Sequence, residues 1–236
     1  MCIRDSPASS LNGSDQELFD SVGPFVKMLH CIEKSAVKRV VFFSSGGTVY
    51  GNPIQTPVPE THPLDPISPY GVAKVAMEKY LQMFCRLYNK HYLIIRPSNP
   101  YGPRQNYKGN QGVIPIFMNK ILNDEPITLW GSETISKDYI FIEDLARATV
   151  TLMRADVENQ IFNIGSERGA SLKELVALIE SVTEKKATVT VKESLNTDVT
   201  NIILDCAKYK SAVDESLCTT SLPDGMRETR RWLLNE

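Results

Sequence analysis

Val40-Val41-Phe42-Phe43 is an unbroken run of large apolar side chains, and it constrains the fold more than any other stretch of the chain. A strand with one wet face alternates apolar and polar residues, whereas a continuous run suits a strand covered on both faces, as in parallel sheets. The run ends in a loop of small residues at 44–51, and the next apolar segment, 92–96, follows only after a stretch of helical period. Parallel neighbours need such a crossover. A third apolar strand, 161–164, repeats the pattern after a helical segment at 143–154. Strand and helix in alternation predict an α/β chain built on a parallel sheet.

The remaining segments are consistent with that class. A helix is expected over 18–34, weakened at its start by Gly23 and Pro24, and a strand over 37–43. Residues 52–69 hold six prolines and read as a long loop. The helix after it runs from Tyr70 to about Lys90, with Ala73, Ala76, Met77, Tyr80, Leu81, Phe84, Leu87 and Tyr88 on one apolar stripe. Beyond the strand at 92–96 and its loop at 97–103, a helix is expected at 113–122 and strands at 127–130 and 139–142. Ser171 caps a helix to about Thr183, with Glu174 at the capping-box position. A short strand at 188–191 and helices at 205–213 and 223–234 complete the chain.

Composition removes several functions. The 236 residues carry a net charge of −2, which argues against a surface built on phosphate contacts to nucleic acid. No apolar run is long enough to span a bilayer, and residues 1–10 lack the apolar core of a signal peptide. Cys2, Cys31, Cys85, Cys206 and Cys218 are odd in number and scattered, as expected of a reduced, cytoplasmic protein without a zinc site. His30, His62 and His91 have no metal-ligand spacing and are expected to pack or to lie at the surface.

The stretch Ser68-Pro-Tyr-Gly-Val-Ala-Lys74 carries the first chemical signal. Ser68 can cap a helix and Pro69 suits its first position. Tyr70 and Lys74 then share one helix face, four residues apart. A phenol ionises near pH ~10, and an adjacent ammonium favours the phenolate. In open parallel sheets ligands bind beyond the carboxyl ends of the strands. The loops there, 44–51, 97–103 and 165–169, are expected to bring Ser44, Ser45, Thr48 and Asn99 towards Tyr70 and Lys74. A hydroxyl, a phenol and an ammonium in one cleft suit removal of a proton from a substrate alcohol.

Five motifs stand in order: Ser-Ser-Gly-Gly-Thr-Val-Tyr-Gly, Ser-Pro-Tyr-Gly-Val-Ala-Lys, Arg-Pro-Ser-Asn-Pro-Tyr-Gly-Pro, Lys-Asp-Tyr-Ile-Phe-Ile-Glu-Asp-Leu-Ala and Phe-Asn-Ile-Gly. Together they resemble the extended short-chain dehydrogenase/reductases, specifically the NAD-dependent epimerase/dehydratases typified by UDP-glucose 4-epimerase. The resemblance covers residue 9 to the end. It implies a Rossmann-like sheet from 1–104 and 137–169, and a small α/β nucleotide-sugar-binding domain from 105–136 and 170–236. It implies Tyr70 as catalytic base and Lys74 as the residue that holds the nicotinamide ribose, with Thr48 or Ser45 supplying a hydroxyl. Ser44, Ser45, Tyr70, Lys74 and Pro97 would meet NAD, with NADP open. Thr48, Asn99, Val113, Lys137 and Asp198 would meet the nucleotide sugar, with loop 105–112 helping to shape the sugar pocket. Relatives of this kind commonly form homodimers through a four-helix contact, here the Tyr70 helix and the helix at 18–34.

The sequence also departs from the family pattern. It contains no Gly-x-Gly-x-x-Gly turn, and after the Gly46 to Gly51 spacing Asn52 and Pro53 replace the residues of a P-loop. The expectation is a chain lacking the first strands of the nucleotide-binding sheet, with residues 1–6 foreign to the family and an apolar strand edge left beside 37–43. The usual catalytic serine aligns with Gly46, an arginine with Lys137, and the arginine of a diphosphate clamp with Leu195. Gly47 and Thr48 stand where a 4,6-dehydratase carries an Asp-Glu pair, which favours an epimerase or a ketoreductase. A non-catalytic fragment is the remaining alternative.

Overall fold

The computed structural model describes residues 18–109, 111–130, 135–192, 199, 201–213 and 220–236. Its central layer is a parallel sheet of β1 (Arg39–Phe43), β2 (His91–Pro97) and β6 (Gln160–Ile164) in the order β1-β2-β6. The register pairs Phe43 with Ile95 and Arg96 with Asn163. The apolar runs singled out in the sequence are these three strands, and Leu93, Ile94 and Ile95 are fully buried. Both faces are covered, as continuous runs require. β1 is an edge strand among the described residues, and Phe43 at its end is 45% exposed.

One face of the sheet packs on α1 (Gly23–Ile32) and α2 (Pro69–Leu87) through Phe25, Leu29, Phe42, Met77, Leu81, Phe84 and Ile94. The expected helix at 18–34 is divided here. A π-helical turn, Leu18–Val22, leads into α1, with Pro24 in the first turn, where no intrahelical donor is needed. α2 is capped as predicted: the Ser68 hydroxyl accepts from the Gly71 amide at 3.2 Å, and Pro69 follows. It ends at Leu87, short of Lys90.

The apolar stripe on α2 also differs from expectation. Ala73, Met77, Leu81 and Phe84 are buried, but Tyr80, Leu87 and Tyr88 are exposed, together with Val72 and Met83. The sequence contains two apolar stripes on one helix, and periodicity alone merged them. Only one reaches the sheet. The other face of the sheet packs on α4 (Ile142–Arg154) and α6 (Ala207–Val213) through Leu145, Leu152, Leu93, Ile95, Phe162 and Tyr209.

A second cluster is built by α3 (Val113–Leu122), α5 (Leu172–Thr183) and α7 (Leu222–Leu233) around Ile114, Met118, Ile121, Leu175, Ile179 and Met226. Two small sheets serve it. β4 (Ile127–Trp130) pairs in parallel with β8 (Val189–Lys192). β5 (Ser136–Phe141) pairs with β3 (Asn99–Tyr101) in parallel and with β7 (Gly169–Ser171) antiparallel. β3 and β7 were expected to be loop; three-residue strands carry no periodicity to read. β5 extends further towards the N-terminus than the expected 139–142, because Ser136 and Lys137 are fixed by pairing with Ser171 and Ala170. The capping box at Ser171 and Glu174 is present in both directions. No helix among the described residues is long and apolar enough to cross a membrane.

The two stripes of α2 differ energetically. Leu81→Ala should lower the unfolding free energy in urea by about 2–5 kcal/mol through the cavity it leaves. Leu87→Ala, measured in the dissociated single chain, should change it by less than about 0.5 kcal/mol. Equal losses at the two positions would contradict the assignment of faces.

Candidate active site

The carboxyl ends of β1, β2 and β6 lie side by side. The Ser44 amide donates to the Ile95 carbonyl at 2.7 Å, the Gly46 amide to Pro97 at 2.8 Å and the Ser98 amide to Ile164 at 2.8 Å. These bonds carry the sheet pairing one step beyond the strands and hold the strand-end loops together. Gly46 is pressed into this junction: a Cβ there would lie 3.0 Å from both the Arg96 and Pro97 carbonyl oxygens and 2.5 Å from Leu204 Cδ1. A serine at this position would need the neighbours to shift.

Tyr70 and Lys74 are 7% and 5% exposed. The Lys74 ammonium sits 5.4 Å from the Tyr70 ring centroid and donates to the Phe43 carbonyl at 3.1 Å. α2 therefore delivers the pair to the end of β1. The first turn of α2 rests on the loop, since a Cβ at Gly71 would meet the Thr48 carbonyl oxygen at 2.9 Å. Ser44 Oγ and Thr48 Oγ1 are buried and have no hydrogen-bond partner among the described residues. Buried hydroxyls are normally satisfied, so two orphans beside a buried ammonium mark a place prepared for polar ligand atoms. Ser45, half-buried, lies between them in the chain.

Asn99 is tied to this centre. Its amide donates to the Asp138 carbonyl at 2.8 Å, and a Cβ at Gly47 would lie 3.6 Å from its Oδ1. Pro97 is buried at the end of β2. Lys137 is half-buried on β5, two residues before Tyr139, the residue that pairs with Asn99. Val113 opens α3 and packs against the second cluster, with the preceding Gly112 in the left-handed region at φ 89°. Asp198 and Leu195 lie outside the described residues. The described residues hold no group of three His, Cys, Asp or Glu side chains suited to a metal.

Sequence reasoning missed Asp138. It is 1% exposed, and its carboxylate accepts from the Ser166 amide and hydroxyl at 2.8 and 2.7 Å, the Glu167 amide at 3.2 Å and the Leu204 amide at 3.3 Å. It thus gathers the loop after β6. Gly165 permits the approach, since a Cβ there would lie 2.4 Å from Asp138 Oδ2. Burial pushes the Asp138 pKa above the ordinary carboxylate value, against the hydrogen bonds from Ser166 and Leu204 that lower it. The only sequence signal was its place in the Lys-Asp-Tyr-Ile-Phe motif, at the polar start of β5.

Residues 9–165 match the model of the NAD dependent epimerase/dehydratase family. The chain is 39% identical over 199 residues to dTDP-4-dehydro-6-deoxyglucose reductase of Escherichia coli, covering 84% of this chain and 63% of that protein. It is 34% identical over 215 residues to a putative UDP-glucose 4-epimerase of Methanocaldococcus jannaschii, covering 89% and 68%. A solved UDP-glucose 4-epimerase of Thermotoga maritima with UDP-glucose superimposes with a TM-score of 0.94 at 32% identity, over 100% of this chain and 76% of that one. The Thermus thermophilus UDP-glucose 4-epimerase in complex with NAD gives 0.92 at 25% identity, over 99% and 76%. The chain spans less than two thirds of the length of the first of these relatives.

The buried Asp138 carries a pH signature. Its folded pKa lies above the unfolded value of about 3.9, so its contribution to stability is full below that value and is lost as pH rises through the folded pKa. Asp138→Asn does not titrate. Its stability relative to the parent should therefore improve steadily as pH rises across the acid range, in urea melts at a series of pH values. A pH-independent difference would contradict the raised pKa.

Proposed function

The chain belongs to the NAD dependent epimerase/dehydratase family, and from that membership we propose that it acts as a nucleotide-sugar 4-epimerase with Tyr70 as its general base. The observation that carries the reading is the buried Tyr70–Lys74 pair at the end of β1, beside the unpartnered hydroxyls of Ser44 and Thr48. The Lys74 ammonium favours the phenolate form of Tyr70. That phenolate takes the proton of the sugar 4-hydroxyl as C4 is oxidised to a ketone. After the 4-keto sugar turns over in the cleft and C4 is reduced on its other face, Tyr70 returns the proton to the new alkoxide. Thr48 or Ser45 shares the hydrogen bond to the sugar hydroxyl, and Asn99, Val113 and Lys137 contact the nucleotide sugar. Lysine at position 137 supplies charge to a diphosphate without the fork of an arginine.

The residues present fit the nicotinamide end of NAD. Ser44, Ser45, Tyr70, Lys74 and Pro97 would hold it, because the orphan hydroxyl of Ser44 and the Lys74 ammonium offer donors at the strand ends. When bound, the nicotinamide would supply the redox chemistry at C4. The chain's own sequence holds no glycine-rich turn for the pyrophosphate, and NAD is favoured over NADP by the family alone. We assign residues 1–104 and 137–169 to the remnant of an NAD-binding domain and residues 105–136 and 170–236 to a nucleotide-sugar-binding domain, and we place the enzyme in the cytoplasm.

A second reading is a nucleotide-sugar ketoreductase, supported by the 39% identity to the E. coli reductase. The two are separated by assay: an epimerase interconverts UDP- or dTDP-hexoses without net cofactor turnover, whereas a reductase consumes NAD(P)H on a 4-keto sugar nucleotide. On the epimerase reading, Tyr70→Phe should reduce turnover by about 10²–10⁴-fold with little change in melting temperature. Parent-like turnover in the variant would remove Tyr70 as base.

Homodimer formation through α2 and the helix expected at 18–34 is part of the same reading. Val72, Tyr80, Met83 and Leu87 are 54%, 42%, 49% and 65% exposed and follow one another at helical spacing. Sedimentation of the parent should give twice the chain mass, and Leu87→Lys should return the single-chain mass. A monomeric parent would refute the dimer.

A further inference from the structure

We propose that Arg96 is a positioning residue for the candidate active site, holding its three segments in one register through a buried clamp with Glu78 and Tyr50. Arg96 and Glu78 are 2% and 0% exposed. The guanidinium donates from Nε to Glu78 Oε1 at 2.9 Å and from Nη2 to Glu78 Oε2 at 2.6 Å. Its remaining nitrogen, Nη1, donates to the Tyr50 hydroxyl at 2.9 Å.

Each of these partners leads to a different part of the site. Glu78 lies one helical step beyond Lys74 and two beyond Tyr70, in the series 70, 74, 78, so all three share one face of α2. Tyr50 closes the loop that carries Ser44, Ser45 and Thr48. Arg96 itself precedes Pro97, whose carbonyl accepts from the Gly46 amide at 2.8 Å. One side chain therefore touches the helix of the proposed base, the hydroxyl loop, and the strand that runs on to Asn99.

The apolar contacts of Ala73, Met77 and Leu81 press α2 onto the sheet, but such contacts are non-directional and define the axial position of a helix weakly. A two-pronged carboxylate–guanidinium bond has a single geometry. Burial pushes the Tyr50 pKa up to about 12, so its hydroxyl stays neutral, receiving from Arg96 while donating to Asn163 Oδ1 at 2.7 Å on β6. A buried ion pair is often no more stabilising than apolar residues of the same volume. Fixed geometry is what the clamp adds over an apolar core.

That distinction supplies the test, which rests on the Tyr70 assignment only for its activity readout. In the double variant Glu78→Met with Arg96→Met, the thermal midpoint should stay close to the parent's. Amide exchange should nevertheless accelerate by about tenfold or more in residues 45–49 and 70–74. Turnover should fall by about tenfold or more with KM changed by less than about threefold, as misplacement of a base predicts. Parent-like exchange in both segments would make the pair a stability element only and overturn the proposal. Should the double variant fail to fold, Arg96→Lys keeps the charge and loses the fork. It is expected to give the same exchange pattern, and parent-like protection in it is equally fatal. A parent without epimerase activity would remove the functional reading and leave the exchange experiment intact.

Discussion

The buried guanidinium of Arg96 is the constraint on which the arrangement of this chain depends. A charge taken out of water must find its full set of partners, and removing one partner from such a pair is strongly destabilising. Arg96 finds them on α2, on the loop after β1 and, through Tyr50 and Asn163, on β6. Asn163 extends the network: its side-chain amide donates to the Val58 carbonyl at 2.9 Å, and its backbone amide donates to Glu60 Oε1 at 2.8 Å. The proline-rich stretch before α2 is thereby fastened to the sheet although it has little secondary structure of its own. Burial raises the Glu60 pKa, which makes its carboxylate a further group dependent on these bonds.

Asp138 performs a similar task for the loop after β6 and for the segment at Leu204. Its side chain gathers the loop after β6, and its carbonyl orients Asn99. The two buried groups, one acidic and one basic, thus organise different loops at the same strand ends. Those ends also carry the orphan hydroxyls of Ser44 and Thr48, the positions where local satisfaction fails. Such conflicts between local chemistry and the packed structure are expected at functional sites.

The strands were legible because their character is local. Leu93–Ile95 is fully buried in the covered sheet, whereas in the edge run Val40–Phe43 only Phe42 is buried. Ser68, Pro69, Ser171 and Glu174 announced helix starts with their own side chains. The two faces of α2 were not legible. Leu87 is as apolar as Leu81, and only the position of the sheet separates them. β3 and β7 were equally hidden, since strands of three residues exist only through their partners.

The same division holds for the site. Sequence by itself determined the Tyr70–Lys74 face, because a helix repeats at a fixed period, and it determined which loops follow strands, because apolar runs end visibly. Only the tertiary structure decided that Gly46 has no room for a side chain, that Ser44 and Thr48 keep unpaired hydroxyls, and that Arg96 and Asp138 bind segments far apart in the chain. Those facts depend on distances between segments remote in sequence, and neither composition nor periodicity encodes a distance of that kind.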